Sequence, residues 1–234
     1  MGGRPKTVVC RDPGALAEAV AEAFEAVVRD AGNDRLAVAL SGGSTPKRLY
    51  ERLAAAPFRE RIAWKRIDFF FGDERVVPAD HPDSNWGMAK RALLDHVPAA
   101  AYRMGADSGD ADGYERILRQ RVGEGRGGIP VLDLVFLGIG ADGHTASLFP
   151  GTDALKERRR LVMMNAVPQL ATRRMTFTYP AINAARRVWV LASGADKRPV
   201  VARCLAGAGD FPILGVVPSE GELVWWLDEA AAAP

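Results

Sequence analysis

His144 follows Asp142 by two residues in VFLGIGADGHTASLFPGT (135–152), a spacing that lets a carboxylate reach an imidazole. A neutral imidazole accepts a proton near neutral pH, so His144 is a candidate general base, and Asp142 can hold its tautomer or orient a water. A short helix is expected over HTASLF, with His144 at its positive end, where the macrodipole would favour the neutral ring. The competing reading is a structural histidine bonded to backbone. The stretch also fits a second pattern, because Gly138, Gly140 and Gly143 match G-x-G-x-x-G after an apolar run. A dinucleotide fingerprint belongs at the first strand–helix turn and is followed, about 20 residues on, by an acid. Here the glycines lie past the middle of the chain, Asp142 would face the pyrophosphate, and the region near residue 163 reads RLVMMNAV. The loop therefore reads as a place for proton transfer.

Other loops carry groups suited to an anion. ALSGGSTPKRLY offers backbone N–H groups of Gly42, Gly43, Ser44 and Thr45 and the hydroxyls of Ser41, Ser44 and Thr45 at a helix start, with Thr45 as expected cap and Pro46 first in the helix. The P-loop spacing is missing, and both a phosphate cradle and a plain capped turn fit. In FFFGDERVVPADHPDSN, Asp73, Glu74 and Arg75 follow a strongly apolar strand. Arg75 can fork onto a phosphate or carboxylate while an acid orients it; a solvated turn is the alternative. The alternation in TRRMTFTY sends Arg173 and Arg174 to opposite faces, so one of them can enter a given cleft. Lys197 begins a helix after Gly194, the wrong end for a dipole-stabilising cation but sensible beside an anionic ligand. His81, His96 and His144 lack i, i+4 spacing and have no cysteine cluster nearby, so no metal site is expected.

These loops need a scaffold, and the pattern between them supplies one. DPGALAEAVAEAFEAVVRDAG is an amphipathic helix with Leu16, Val20, Phe24, Val27 and Val28 on one face, opened by Asp12-Pro13 and closed by Gly32. RLAVAL, IDFFF, LDLVFLGIG and RVWVLASG read as buried strands, each followed by a loop and then a helical pattern. That alternation predicts a three-layer α/β fold, a mainly parallel sheet with helices on both faces, as one domain over residues 1–234. Ligands of such sheets sit beyond the carboxyl ends of the strands, where the loops after residues 40, 71, 140 and 192 lie. The 31 basic and 29 acidic residues leave a formal charge of +2, too little excess for a nucleic-acid surface. No uncharged run of 18 apolar residues and no leader-like start is present, so neither membrane nor export is expected. Cys10 and Cys204 are too few for a disulfide framework, and the cytoplasm is the expected address.

Taken in order, LSGGSTP, GDERVVPADHPDSN, LGIGADGHTASLFPGT and RMTFTYPAINAARRVWVLASGADK resemble the motifs of the 6-phosphogluconolactonase family, from about Thr7 to Asp228. That family is similar in fold to the glucosamine-6-phosphate isomerases. The resemblance implies hydrolysis of 6-phospho-D-glucono-1,5-lactone to 6-phosphogluconate in the oxidative pentose phosphate pathway, without an organic cofactor and with no obligate protein partner evident. It implies that His144 is the base, and that the Ser41–Thr45 loop, Arg75, Arg174 and Lys197 hold the phosphate. Arg174 is preferred to Arg173 because it directly precedes MTFT. The donor to the developing oxyanion stays open. The related isomerases carry D-G-H-I-A-F-N-E-P and D-E-Y where this chain has Phe149 and Arg75, which favours hydrolysis over isomerisation. Asp73 matches the proton-abstracting aspartate of the isomerases, and its task here stays open. A non-catalytic sugar-phosphate-binding regulator is the reading from another class, and it would have no need of Asp142 and His144.

Overall fold

The computed structural model describes residues 6–232. The chain opens with β1 (Lys6–Cys10) and α1 (Pro13–Asp30), whose Leu16, Val20, Phe24 and Val28 are buried while Val27 is partly covered. Asp12 caps α1 by accepting from the N–H of Ala15 at 2.8 Å, Pro13 stands at its first position, and Gly32 follows with φ +58°. β2 (Leu36–Leu40), α2 (Ser44–Leu53), α3 (Phe58–Arg61), β3 (Ile67–Phe71) and β4 (Asp73–Arg75) come next. α4 (Asn85–Ala89) continues as a π-helical stretch over Lys90–Leu94, where the helix widens to i→i+5 bonding. β5 (Ala100–Ala101), α5 (Ala111–Arg121), β6 (Leu134–Leu137), β7 (Val162–Val167), β8 (Thr172–Phe177) and α6 (Tyr179–Asn183) follow. β9 (Arg187–Ala192), α7 (Arg198–Leu205) and β10 (Glu222–Asp228) complete the order.

Seven strands form one parallel sheet in the order β1-β10-β9-β6-β2-β3-β5, within the three-layer α/β architecture. β2, β3, β6 and β9 are buried on both faces apart from Arg187, which is why they read as continuous apolar runs. The order positions the site. From β2 the chain moves outward through β3 and β5, then returns to β6 and moves the other way through β9 and β10. A crevice therefore opens beyond the carboxyl ends of β2 and β6, where the two loops diverge. Gly138 and Ser41 face each other across it, a Cβ on residue 138 falling 3.9 Å from the Ser41 hydroxyl.

Gly72 marks where the chain leaves this sheet: its N–H still donates to Leu40 O at 2.9 Å, while its carbonyl accepts from Phe177 at 2.7 Å. β4 then pairs with β8 and β8 with β7 in a separate antiparallel sheet. This second sheet is absent from the sequence expectation, which took Asp73–Arg75 as a charged turn or loop. Asp73 and Glu74 are buried because β4 is a covered strand.

Two local expectations are corrected. α2 starts at Ser44 with Gly43 as its N-cap, so Thr45 lies inside the helix and Pro46 in its first turn; Lys47 N–H closes on Gly43 O at 3.0 Å. HTASLF forms no helix. Ala146 takes a left-handed φ of +47°, Thr145 Oγ1 donates to Gly138 O at 2.8 Å, and the Ser147 N–H donates to Thr176 Oγ1 at 3.1 Å. Short hydroxyl side chains and a tertiary acceptor take the groups a helix would have paired internally. The macrodipole expected at His144 is therefore absent.

Candidate active site

Four loops meet over the carboxyl ends of β9, β6, β2 and β3, which are consecutive neighbours in the sheet. They enclose a polar cleft of about 210 Å³ that brings together Ser41–Thr45, Asp73, Arg75, Asn85, His144 and Lys197. Asp142 and Arg174 stand one residue back from it, Asp142 bonded to His144 and Arg174 opposite Arg75 across the β4–β8 ladder. Arg173 is exposed.

The loop after β2 is held from within. Tyr50 Oη, fully buried in α2, accepts from Ser41 N–H and donates to Ser41 O, each at 2.9 Å. Burial raises the Tyr50 pKa further above its ordinary value, so the hydroxyl keeps the proton it donates. Gly42 leaves room for Asn85, whose Oδ1 would lie 1.9 Å from a Cβ there. The result is a backbone-lined start to a ten-residue helix, with N–H groups and a positive dipole end directed at the cleft.

Arg75 and Arg174 are direct cross-strand partners, two cations on one face of the antiparallel ladder. Burial depresses the Arg174 pKa and the Arg75 charge adds to this, while Asp73, Glu74 and Asp83 act in the opposite sense. Arg75 Nη1 donates to Asp83 O at 2.5 Å, yet the buried Nε atoms of Arg75 and Arg174 have no hydrogen-bond partner among the described residues. Two adjacent guanidinium groups with unspent N–H donors suit an anion, which each can bind through charge-assisted hydrogen bonds. Glu74, 1% exposed, serves structure: it accepts from the N–H groups of Arg75, Asn85 and Trp86 and from Ser84 Oγ, fixing the start of α4.

Lys197 is the last residue of a single 3₁₀ turn, Ala195–Lys197, and immediately precedes α7. Its side chain is 27% exposed and its Nζ lies 3.3 Å from Asp196 Oδ2. The turn is stapled by Asp228, a buried acid at the end of β10 that accepts from Ser193 Oγ at 2.8 Å, Gly194 N–H at 3.0 Å and Ala231 N–H at 2.8 Å.

On the opposite side, His144 Nδ1 lies 2.5 Å from Asp142 Oδ1, which also accepts from the His144 N–H at 3.1 Å. Burial pushes the Asp142 pKa up, but the hydrogen bonds from the His144 ring and backbone outweigh it and leave it below the ordinary carboxyl value. An ionised carboxylate only accepts, so Nδ1 carries the hydrogen, and in the neutral ring that leaves the lone pair on Nε2. Phe149 stacks on the imidazole with centroids 4.0 Å apart and planes 20° from parallel. The glycines of the apparent fingerprint serve this pair: a Cβ on residue 140 would stand 2.1 Å from Nδ1 of His144, and Gly143 combines φ +75° with close approach of Phe211.

His81 and His96 are engaged elsewhere, His81 Nδ1 accepting from Asp83 N–H at 3.1 Å and His96 Nε2 bonding Arg91 O at 3.0 Å. Tyr50, Asn85, Ser147, Phe149 and Asp228 support the site without having been singled out for support in the sequence. Only Asp228 carried a local signal, a lone acid ending an apolar strand.

A parallel α/β sheet with a glycine turn at a helix start, paired arginines and a carboxylate–imidazole couple beyond its strand ends is an arrangement suited to small phosphorylated compounds. The chain belongs to the glucosamine-6-phosphate isomerase/6-phosphogluconolactonase family, whose model matches residues 11–225. It is 44% identical to a 6-phosphogluconolactonase of Nostoc sp., over 85% of this chain and 84% of the relative. It is 36% identical to one of Streptomyces coelicolor, over 100% and 95% of the two chains. Among solved structures, the 6-phosphogluconolactonase of Trypanosoma brucei superposes with a TM-score of 0.87 at 32% identity, covering 99% and 98% of the chains. A monomeric glucosamine-6-phosphate deaminase shares the fold with a TM-score of 0.81 at 19% identity, over 97% and 98%.

Proposed function

We propose that this chain hydrolyses 6-phospho-D-glucono-1,5-lactone to 6-phosphogluconate, with His144 as general base. The observation that carries the mechanism is the 2.5 Å contact between Asp142 Oδ1 and His144 Nδ1 at the edge of a cation-lined cleft. It leaves Nε2 free of protein partners among the described residues. Nε2 takes a proton from water as the water oxygen bonds to the lactone carbonyl carbon, and Asp142 stabilises the imidazolium. The tetrahedral intermediate then collapses, the ring C–O bond breaks, and the imidazolium returns its proton to the departing ring oxygen. The Ser41–Thr45 backbone, Arg75, Arg174 and Lys197 hold the 6-phosphate and fix the distance from phosphate to carbonyl. The scheme needs no organic cofactor.

Phe149 favours this reading over isomerisation. An aromatic ring covers the imidazole face, and this position supplies no carboxylate for a second proton relay. We also propose a cytoplasmic address for a chain acting as one unit, supported by two free cysteines, of which Cys204 has its thiol pKa raised to about 11 by burial. No helix among the described residues is long and apolar enough to cross a membrane.

The test is proton release from freshly generated 6-phosphogluconolactone, with and without chelator-treated protein, and with glucosamine 6-phosphate as a parallel substrate. Accelerated opening of the lactone alone is the expected result. Conversion of the amino sugar instead would establish the isomerase, and silence on both would favour the regulator. His144→Ala should lower kcat by ~10²–10⁴-fold with little change in KM.

A further inference from the structure

Among the residues lining the cleft Asp73 is the only carboxylate, and the hydrolytic scheme leaves it without a task. We infer that Asp73 is a positioning residue, a buried strut that ties the His144 turn to the phosphate loop. The inference rests on the lactonase reading above.

The two oxygens of Asp73 are directed at donors from two different loops. Oδ2 accepts from Ser147 Oγ at 2.7 Å, and Oδ1 accepts from Asn85 Nδ2 at 3.2 Å, with the same amide donating to the Asp73 carbonyl at 2.9 Å. Asp73 is 6% exposed. Its side chain is therefore committed to protein donors in a site where a proton-abstracting carboxylate would need a face toward substrate.

Each donor is itself anchored next to a functional group. Ser147 is fully buried three residues after His144; its carbonyl accepts from Asn165 Nδ2 at 2.9 Å and its N–H reaches Thr176 Oγ1. Thr176 is the residue opposite Asp73 in the β4–β8 ladder, so Ser147 is held twice to the same rung. This fixes the turn that lacks a helix to stiffen it. The Asn85 backbone N–H donates to Glu74 Oε1 at 2.8 Å, and its side chain fills the space beside Gly42 that any larger residue would need. The carboxylate thus joins the turn bearing the base to the loop bearing the phosphate donors. A lactonase needs that junction, because the phosphate is bound at one end of the substrate while water must attack at the other.

The two arms predict separable kinetics. Ser147→Ala removes the arm toward His144 and should lower kcat by about 10-fold with KM unchanged, whereas Asn85→Ala removes the arm toward Gly42 and should mainly raise KM. Asp73→Asn keeps the shape; the Ser147 hydroxyl can turn to accept from the new amide, so kcat should stay within about 10-fold of wild type and well above Asp73→Ala. A loss of ~10²-fold or more in Asp73→Asn, equal to that in Asp73→Ala, would make Asp73 a proton-transfer group and overturn the inference. Wild-type kcat and KM in Ser147→Ala would overturn it too, and this comparison stands if Asp73→Ala fails to fold. Wild-type protein run alongside separates the two proposals: its failure to open the lactone removes both, whereas normal opening with an insensitive Ser147→Ala removes the strut alone.

Discussion

In the mechanism proposed above the cleft has a phosphate side and a base side, and the two are stabilised by different means. The phosphate side is built from backbone: a glycine turn, the N-terminus of α2 and one internal tyrosine hold a set of N–H donors whose directions follow from helix geometry. The base side has no regular element. His144 sits in an irregular turn and takes its orientation from Asp142 at Nδ1, Phe149 on the ring face and the open space at Gly140. Backbone donors tolerate changes in neighbouring side chains, while an imidazole positioned by three side-chain-level contacts should not. The binding half should therefore respond to substitution through KM and the base half through kcat.

Gly140→Ala gives the largest expected departure. The added methyl would stand 2.1 Å from Nδ1 and 2.7 Å from Asp142 Oδ1, so the ring or the carboxylate must move. A displacement of about 1 Å at a catalytic base costs on the order of 10²-fold, and the loss should fall on kcat with KM nearly unchanged. A variant with wild-type kcat would show that the turn re-forms around the ring and that the two sides are equally robust. Arg174→Ala comes next. It removes a half-buried guanidinium opposite Arg75 on the ladder, and a charge-assisted bond of about 1.5–3 kcal/mol corresponds to a rise in KM of roughly 10–100-fold. Steady-state kinetics on the lactone checks this, and an unchanged KM would take Arg174 out of the phosphate site. Because Arg75 and Arg174 repel each other, the same variant should bind phosphate less well without losing stability.

The contrast also explains what could be read from the sequence. SGGSTP read as a glycine turn at a helix start and forms one, because glycines, hydroxyls and a helix start act through local geometry; only the cap was misplaced, from Gly43 to Thr45. The parallel sheet was legible from its apolar runs. His144 and Asp142 were legible as a pair, since two residues of separation suffice for contact, but the supposed source of their tuning was wrong: a helix dipole was expected where Ala146 turns left-handed. Ser147 and Asn85 carry no pattern because their partners lie on other segments, and Ser147 meets Asp73 across 74 positions of sequence, whereas Phe149 stacks on His144 within its own loop. The second sheet was missed for the same reason. A three-residue strand such as Asp73–Arg75 has too few positions to show alternation, and its pairing with β8 is set by tertiary contact alone.

The smallest expected effect on KM tests whether the phosphate loop is as self-sufficient as its backbone construction implies. Tyr50→Phe deletes one oxygen and leaves the N–H and carbonyl of Ser41 without the partner that now serves both. Two buried backbone groups would then need water or a shifted loop, at a cost of about 1–3 kcal/mol for each group left unpaired. A chain of this length loses roughly 2–4 °C of Tm per kcal/mol, so a thermal melt reads the change directly. The Ser44 and Thr45 N–H groups still belong to the first turn of α2, whatever happens at Ser41, so KM should move by less than in Arg174→Ala. A stable Tyr50→Phe protein with a greatly raised KM would reverse that order, and the donors of the binding side would then depend on side-chain support as closely as His144 does.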